Sequence, residues 1–130
     1  MRVLPAEANS GIRFKRTDIR NQNPTVNAVF DLVSDTKMCT TISNHEGTKV
    51  QTIEHLMAAL AGTGVHNAII ELDGPELPIL DGSSREFVKK ILSVEKQVLD
   101  YPVSGFKIMK EITVSEGAAW AKFSPADTLS

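Results

Sequence analysis

Apolar and polar positions alternate with period two over much of the first fifty residues. Residues 11–16 (GIRFKR) set Ile12 and Phe14 between basic neighbours, the pattern of a strand with one buried face. The polar stretch 17–25 (TDIRNQNPT) has a proline near its end and reads as a long loop between strands. Residues 26–33 and 38–42 are rich in Val, Ile, Thr and Phe and predict two further strands. Asn44, His45, Glu46 and Gly47 predict a hairpin turn leading into a strand over 48–51.

The period then lengthens. Ile53, Leu56, Met57, Leu60 and Ala61 follow the i, i+3, i+4, i+7, i+8 spacing of an amphipathic helix. Thr52 is its expected N-cap, and Gly62 or Gly64 is expected to end it. Residues 67–72 (NAIIEL) predict a strand, and 74–82 (GPELPILDG) an irregular connection. Ser83, Ser84, Arg85 and Glu86 read as a capping box before a second helix with Phe87, Val88, Ile91 and Leu92 on its apolar side. Residues 106–114 and 118–123 predict two strands around a Ser115-Glu116-Gly117 turn. The order of these elements predicts an α+β fold: a mostly antiparallel sheet with two helices packed on one face.

Composition narrows the function classes. The 130 residues suit one domain, and 42% hydrophobic with 23% charged residues excludes a disordered chain. Lys+Arg 14 against Asp+Glu 16, net −2, lacks the basic excess of a nucleic-acid binder. The apolar run at 56–61 is far short of the roughly 20 residues of a membrane span, and the first residues carry no apolar signal segment. The lone Cys39 cannot form an internal disulfide and reads as an inert strand residue. A soluble, cytoplasmic protein is expected.

Chemistry concentrates at Glu54 and His55. On a wheel of about 100° per residue, Ile53, Met57 and Leu60 form the core stripe, and Glu54 and His55 point away beside Ala58 and Ala59. Small residues there suit close approach by another element, within this chain or outside it. A neutral imidazole is the commonest protein ligand of zinc, and a neighbouring carboxylate can act as general base. The structural alternative is that Glu54 supports the helix N-terminus and His55 is an exposed polar residue. Spacing alone builds no site: His-Glu-x-x-His is absent, the inverted form would need histidine at Gln51, and His45 and His66 lie in other segments. Asp81, after a rigid apolar run and before a helix, is either a turn or capping residue or an acid that orients a catalytic group.

The blocks Thr52-Ile53-Glu54-His55-Leu56, 58–62 (AALAG), Asn67 and 71–83 (ELDGPELPILDGS) resemble the signature of the UDP-3-O-acyl-N-acetylglucosamine deacetylases, zinc-dependent enzymes of lipid A synthesis in Gram-negative bacteria. The resemblance runs from Arg2-Val3 through Met38-Cys39-Thr40 to Trp120-Ala121-Lys122-Phe123, and it is specific in the block from Thr52 to Ser83. It implies two α+β domains, each a sheet with two helices, whose helices pack together in a sandwich around the metal site. His55 then matches a zinc ligand, Glu54 the general base that activates the attacking water, and Asp81 an acid of the surroundings. The reaction implied is hydrolysis of the 2-acetamido group with release of acetate, the committed step of lipid A biosynthesis. Residues 1–130 then read as most of the N-terminal domain. The opening strands, with the second domain and its further zinc ligands, are expected outside this sequence.

Three readings compete. The first is a fragment of a zinc amidohydrolase, inactive by itself because one imidazole cannot hold catalytic zinc tightly. The second is a non-catalytic binding or scaffold domain that keeps the first-domain fold. The third, a small nucleic-acid binder, is disfavoured by the charge balance.

Overall fold

The computed structural model describes residues 1–127. In chain order its elements are β1 (Arg2–Pro5), β2 (Ile12–Arg16), β3 (Thr25–Asn27), a 3-10 turn (Phe30–Leu32), β4 (Val33–Asp35), β5 (Thr41–Ser43), β6 (Lys49–Val50), α1 (Glu54–Gly62), β7 (Ala68–Leu72), α2 (Arg85–Leu92), β8 (Ile112–Glu116) and β9 (Ala119–Phe123). The main sheet has the order β1-β7-β2-β3, a smaller one the order β4-β5-β6, and β8 and β9 pair with each other.

The alternation in β2 sets the inward face of the main sheet. Phe14 is fully buried and sits beside Val26 of β3 and Ile70 of β7. Ala68 and Leu72 continue that face, while Arg13, Lys15, Ile69 and Glu71 point the other way. Leu56, Ala59 and Leu60 of α1 and Phe87 of α2 close the same core, so both helices cover one face of the sheet. Burying a side chain such as Phe14, Leu56 or Ile70 contributes about 1.5–3 kcal/mol. The fold is α+β, with one refinement. Antiparallel pairs flank the centre, but β2 and β7 run parallel over Ile12 to Arg16 and Ala68 to Leu72. A parallel neighbour needs a long crossover, and the chain between these two strands supplies it through β3–β6 and α1.

Several expectations about elements change. The run 26–33 is not one strand: it breaks after Asn27 into the 3-10 turn and resumes at Val33, where the register with β5 shifts between Val33 and Asp35. The strand expected over 38–42 begins only at Thr41. Met38 and Cys39 lie in a bend, so Cys39 is a half-buried loop residue. Beyond β6, Gln51 continues only as an isolated bridge to Glu76. Residues 106–111 form no strand, and the hairpin starts at Ile112.

The helix starts also differ. Ile53 occupies the N-cap position of α1 without a side-chain cap, and the Thr52 hydroxyl donates instead to Glu76 Oε1 at 2.8 Å. The expected capping box of α2 does not form. Ser84 holds the N-cap position, Ser83 Oγ accepts from the Arg85 amide at 3.2 Å, and Glu86 pairs with Lys89. The end of α1 is as expected from its glycines: Gly64 has φ +71° and the Val65 amide returns to the Leu60 carbonyl. Among the described residues no helix is long and apolar enough to cross a membrane.

Candidate functional site

The junction between β6 and α1 carries the site. Three residues turn an extended chain into a helix, and Thr52 makes the turn with φ +59° while 5% exposed. A β-branched residue in the left-handed region costs about 1–3 kcal/mol, so its surroundings must hold it there. They do so on two sides. The Gln51 amide donates to the Pro75 carbonyl at 2.8 Å and the Leu77 amide to the Gln51 carbonyl at 3.1 Å, flanking the hydroxyl bond from Thr52 to Glu76. On the other side the Ile53 amide donates to the Thr40 carbonyl at 3.4 Å, and the Thr40 amide donates to Glu54 Oε2 at 3.0 Å.

Glu54 and His55 are therefore neighbours on the first turn of α1, both half-buried. One carboxylate oxygen of Glu54 is tied to the backbone before β5, and Oε1 lies outside that bond. The expected orientation of the helix needs a correction. Its buried arc runs through Ile53, Leu60, Leu56 and Ala59, so α1 is rolled to place Ala59 (0% exposed) in the core. Ala58 and Ala61 are the exposed small residues, with Met57 and His55 on the borders of the buried arc. Glu54 stays off the core on the Ala58 and Ala61 side.

Asp81 sits in the exposed loop before α2, between Leu80 and Gly82, whose φ values are +52° and +77°. Its Oδ1 accepts from the Ser83 hydroxyl at 2.8 Å and the Ser83 amide at 3.0 Å. These two bonds hold its carboxyl below the usual carboxylate range. Asp81 thus closes a local turn, and its hydrogen bonds go to Ser83 rather than to Glu54 or His55.

Imidazole is the right donor for zinc, but a catalytic zinc site takes three protein ligands. Among the described residues no three His, Cys, Asp or Glu side chains gather around one point. His45, in the turn before β6, and His66, before β7, are exposed in their own loops. The half-buried Cys39 has its Sγ 3.7 Å from Thr41 Oγ1. Among the described residues, His55 offers a single imidazole donor at the helix start, and no complete ligand set surrounds it. Two surface cavities of about 210 and 220 Å³ lie elsewhere, and neither is lined by Glu54, His55 or Asp81.

Thr40, Thr52 and Glu76 complete the surroundings. Local patterning singles out neither Thr40 nor Glu76, and it assigns Thr52 to a cap rather than to Glu76. Thr40 lies 14 positions before Glu54, and Glu76 lies 24 after Thr52. A Thr-Glu spacing of that length has no periodic signature.

The family model described as UDP-3-O-acyl N-acetylglycosamine deacetylase matches residues 1–130. A Vibrio cholerae serotype O1 protein (strain ATCC 39541 / Classical Ogawa 395 / O395) named UDP-3-O-acyl-N-acetylglucosamine deacetylase is 45% identical over 125 residues, which is 95% of this chain and 40% of that protein. Proteins of the same name from Shewanella pealeana (strain ATCC 700345 / ANG-SQ1) and Pseudoalteromonas atlantica (strain T6c / ATCC BAA-1087) are 46% identical over 125 residues and 42% over 127. They too match 95% and 98% of this chain, respectively, and 40% and 41% of their own lengths. The chain thus spans about two-fifths of the length of these curated relatives.

Proposed function

The chain belongs to the UDP-3-O-acyl N-acetylglycosamine deacetylase family, and from that premise we propose that Glu54 and His55 are its share of a site that hydrolyses the 2-acetamido group of UDP-3-O-acyl-N-acetylglucosamine. The observation that carries this reading is the tethered pair itself. A carboxylate held by one oxygen to the Thr40 amide stands beside an imidazole on the first turn of a helix. A helix mount keeps both groups within the small tolerance that proton transfer requires.

His55 would hold a zinc ion together with ligands from outside the matched two-fifths of the enzyme. When bound, zinc supplies Lewis-acid chemistry, polarising a carbonyl and making water acidic near neutral pH. Glu54 takes the proton from the attacking water through the oxygen that the Thr40 amide leaves available. Water oxygen adds to the acetamido carbon, the carbon–nitrogen bond breaks as the nitrogen takes up the proton removed from water, acetate leaves and the sugar nitrogen ends as an amine. Asp81 belongs to the surroundings and shapes the loop before α2 through Ser83. The whole enzyme works in the cytoplasm in lipid A synthesis, and the 130-residue chain alone does not turn over.

The test is a hybrid in which this chain replaces the 125 matched residues of the Vibrio cholerae relative. Zinc content and acetate release are measured for the hybrid and two variants. His55→Ala is expected to lose zinc, and Glu54→Ala to keep zinc while turning over roughly 100-fold or more slowly. Normal turnover in Glu54→Ala removes it from the mechanism, and zinc-dependent acetate release by the isolated chain overturns the division of the site.

A further inference from the structure

We propose that Thr52 and Glu76 are positioning residues for the Glu54 carboxylate, acting through the left-handed turn that starts α1. This inference rests on the role given to Glu54 above. Three observations lead to it. Thr52 is a buried, β-branched residue at φ +59°, a conformation glycine would adopt with less strain. Its hydroxyl is not used as the helix cap, the ordinary use of a threonine at a helix start, but donates at 2.8 Å to Glu76 Oε1. Glu76 itself is exposed, yet its backbone is bridged to Gln51, with Leu77 (3% exposed) anchored in the core just after it. The bond from Thr52 to Glu76 therefore ties a strained junction to a segment that cannot slide.

The consequence falls on Glu54. Two residues after Thr52, the direction in which α1 begins decides whether the Glu54 carboxylate meets the Thr40 amide. If Thr52 relaxes toward an ordinary β or helical conformation, the first turn of α1 swings and both junction bonds, Ile53 to Thr40 and Thr40 to Glu54, lengthen together. The anchored segment ends at Leu77, and the exposed residues 78–81 that follow are held by their own local bonds. A threonine is suited to the junction because its hydroxyl supplies the donor.

Amide hydrogen exchange on the full chain tests this without metal or substrate. Thr52→Val keeps the branched shape and removes the donor. It is expected to raise exchange at the Thr40 and Ile53 amides roughly tenfold relative to the Ile70 amide in the sheet, as loss of one net hydrogen bond would. Thr52→Ser, which keeps the donor, is expected to restore the original ratio. Glu76→Ala truncates an exposed side chain and is expected to reproduce the Val result, so it decides the matter should Thr52→Val fail to fold. An unchanged ratio in Glu76→Ala, or a rise shared equally by Ile70, overturns the proposal and leaves the pair as ordinary scaffold. In the hybrid enzyme Glu76→Ala is expected to lower kcat about tenfold with zinc content and KM unchanged. If the unaltered hybrid has no deacetylase activity while the exchange ratio still changes, the positioning of Glu54 stands and the reaction assigned to it falls.

Discussion

Asn44 uses its whole side-chain amide inside the protein. Oδ1 accepts from the Glu46 and Thr48 amides at 3.0 and 2.9 Å, and Nδ2 donates to the Asn23 and Thr25 carbonyls at 3.0 Å each. Two acceptor sites and two donors is the full capacity of that group. Around it, Thr48 Oγ1 donates to the Asn23 carbonyl at 2.7 Å and the Asn23 amide donates to Glu46 Oε2 at 2.7 Å. The polar loop 17–25 is thereby fastened to the turn before β6. Asn44→Ala leaves the part-buried Thr48 amide and Thr25 carbonyl without this partner, while the Glu46 amide and Asn23 carbonyl are exposed and the latter keeps the Thr48 hydroxyl. A loss of about 1–3 kcal/mol is expected. Asn44→Asp keeps the acceptor half and should lose less. Urea unfolding checks this: the midpoint falls in that order with the slope unchanged. The turn at Asn44 to Gly47 was legible from its residue types, and 17–25 from its polarity and proline. The fastening was not, because its partners stand 19 to 25 positions apart. Thr52 was misread for the same reason: a local rule made it an N-cap, while a distant carboxylate claims its hydroxyl.

At the scale of elements, patterning succeeded where one face meets one core. β7 alternates strictly in burial, and β2 buries Phe14 between the outward Arg13 and Lys15. Helix α2 buries Phe87 with Val88 and Ile91 against the core, and each of the three elements lies within the segment predicted for it. Patterning failed over 26–42, where an apolar run serves two sheets and breaks at a 3-10 turn that no glycine or proline announces. For α1 the period was right and the rotation wrong. A wheel locates a stripe by side-chain type, and alanine is ambiguous: Ala59 is fully buried in the core with Leu56 and Leu60. Substitution separates the two orientations. Ala59→Leu is expected to destabilise by about 1–3 kcal/mol through overpacking, whereas Ala58→Leu, on the exposed side, should stay within about 0.5 kcal/mol. Equal effects in thermal or urea unfolding would restore the original wheel. The β8–β9 hairpin gives a contrasting case, since all ten of its residues are exposed. A two-stranded ribbon without a packed face is marginal in water. Its cross-strand amides are expected to exchange orders of magnitude faster than that of Ile70, and comparable protection would refute that independence.

Across the whole molecule, the carboxyls held below their usual range among the described residues are those of Glu71, Asp18 and Asp81, and of these Glu71 is the one that holds strands together. Glu71 of β7 joins three strands on the outward face of the main sheet. It receives Arg2 of β1 and, at 3.3 Å, Lys15 of β2, and only 11% of its side chain is exposed. The hydrogen bond from Arg2, then that from Lys15, hold its carboxyl below the usual range. The bond from Arg16 does the same for Asp18, and those from Ser83 for Asp81. A carboxylate whose pKa is lower in the folded than in the unfolded chain binds fewer protons when folded. Its stabilisation is complete above the unfolded value, near pH 4, and drains away as pH falls through the folded value. Arg16 shifts in the opposite sense, upward because of its hydrogen bond to Asp18, so its contribution is lost only as pH rises beyond its folded value, far above the working range. The stability contributed by these groups should therefore change little between about pH 5 and 8 and decline below about pH 4. Glu71→Gln separates this linkage from general charge repulsion in acid. It removes the titrating group while keeping the shape, so the variant should be less stable than the parent at neutral pH and converge with it in acid. Urea midpoints measured from neutral pH down to about pH 3 decide the point. Parallel curves for the two proteins would mean that Glu71 is not a source of the acid sensitivity, and that the ion pairs across β1, β7 and β2 contribute no pH-linked stability.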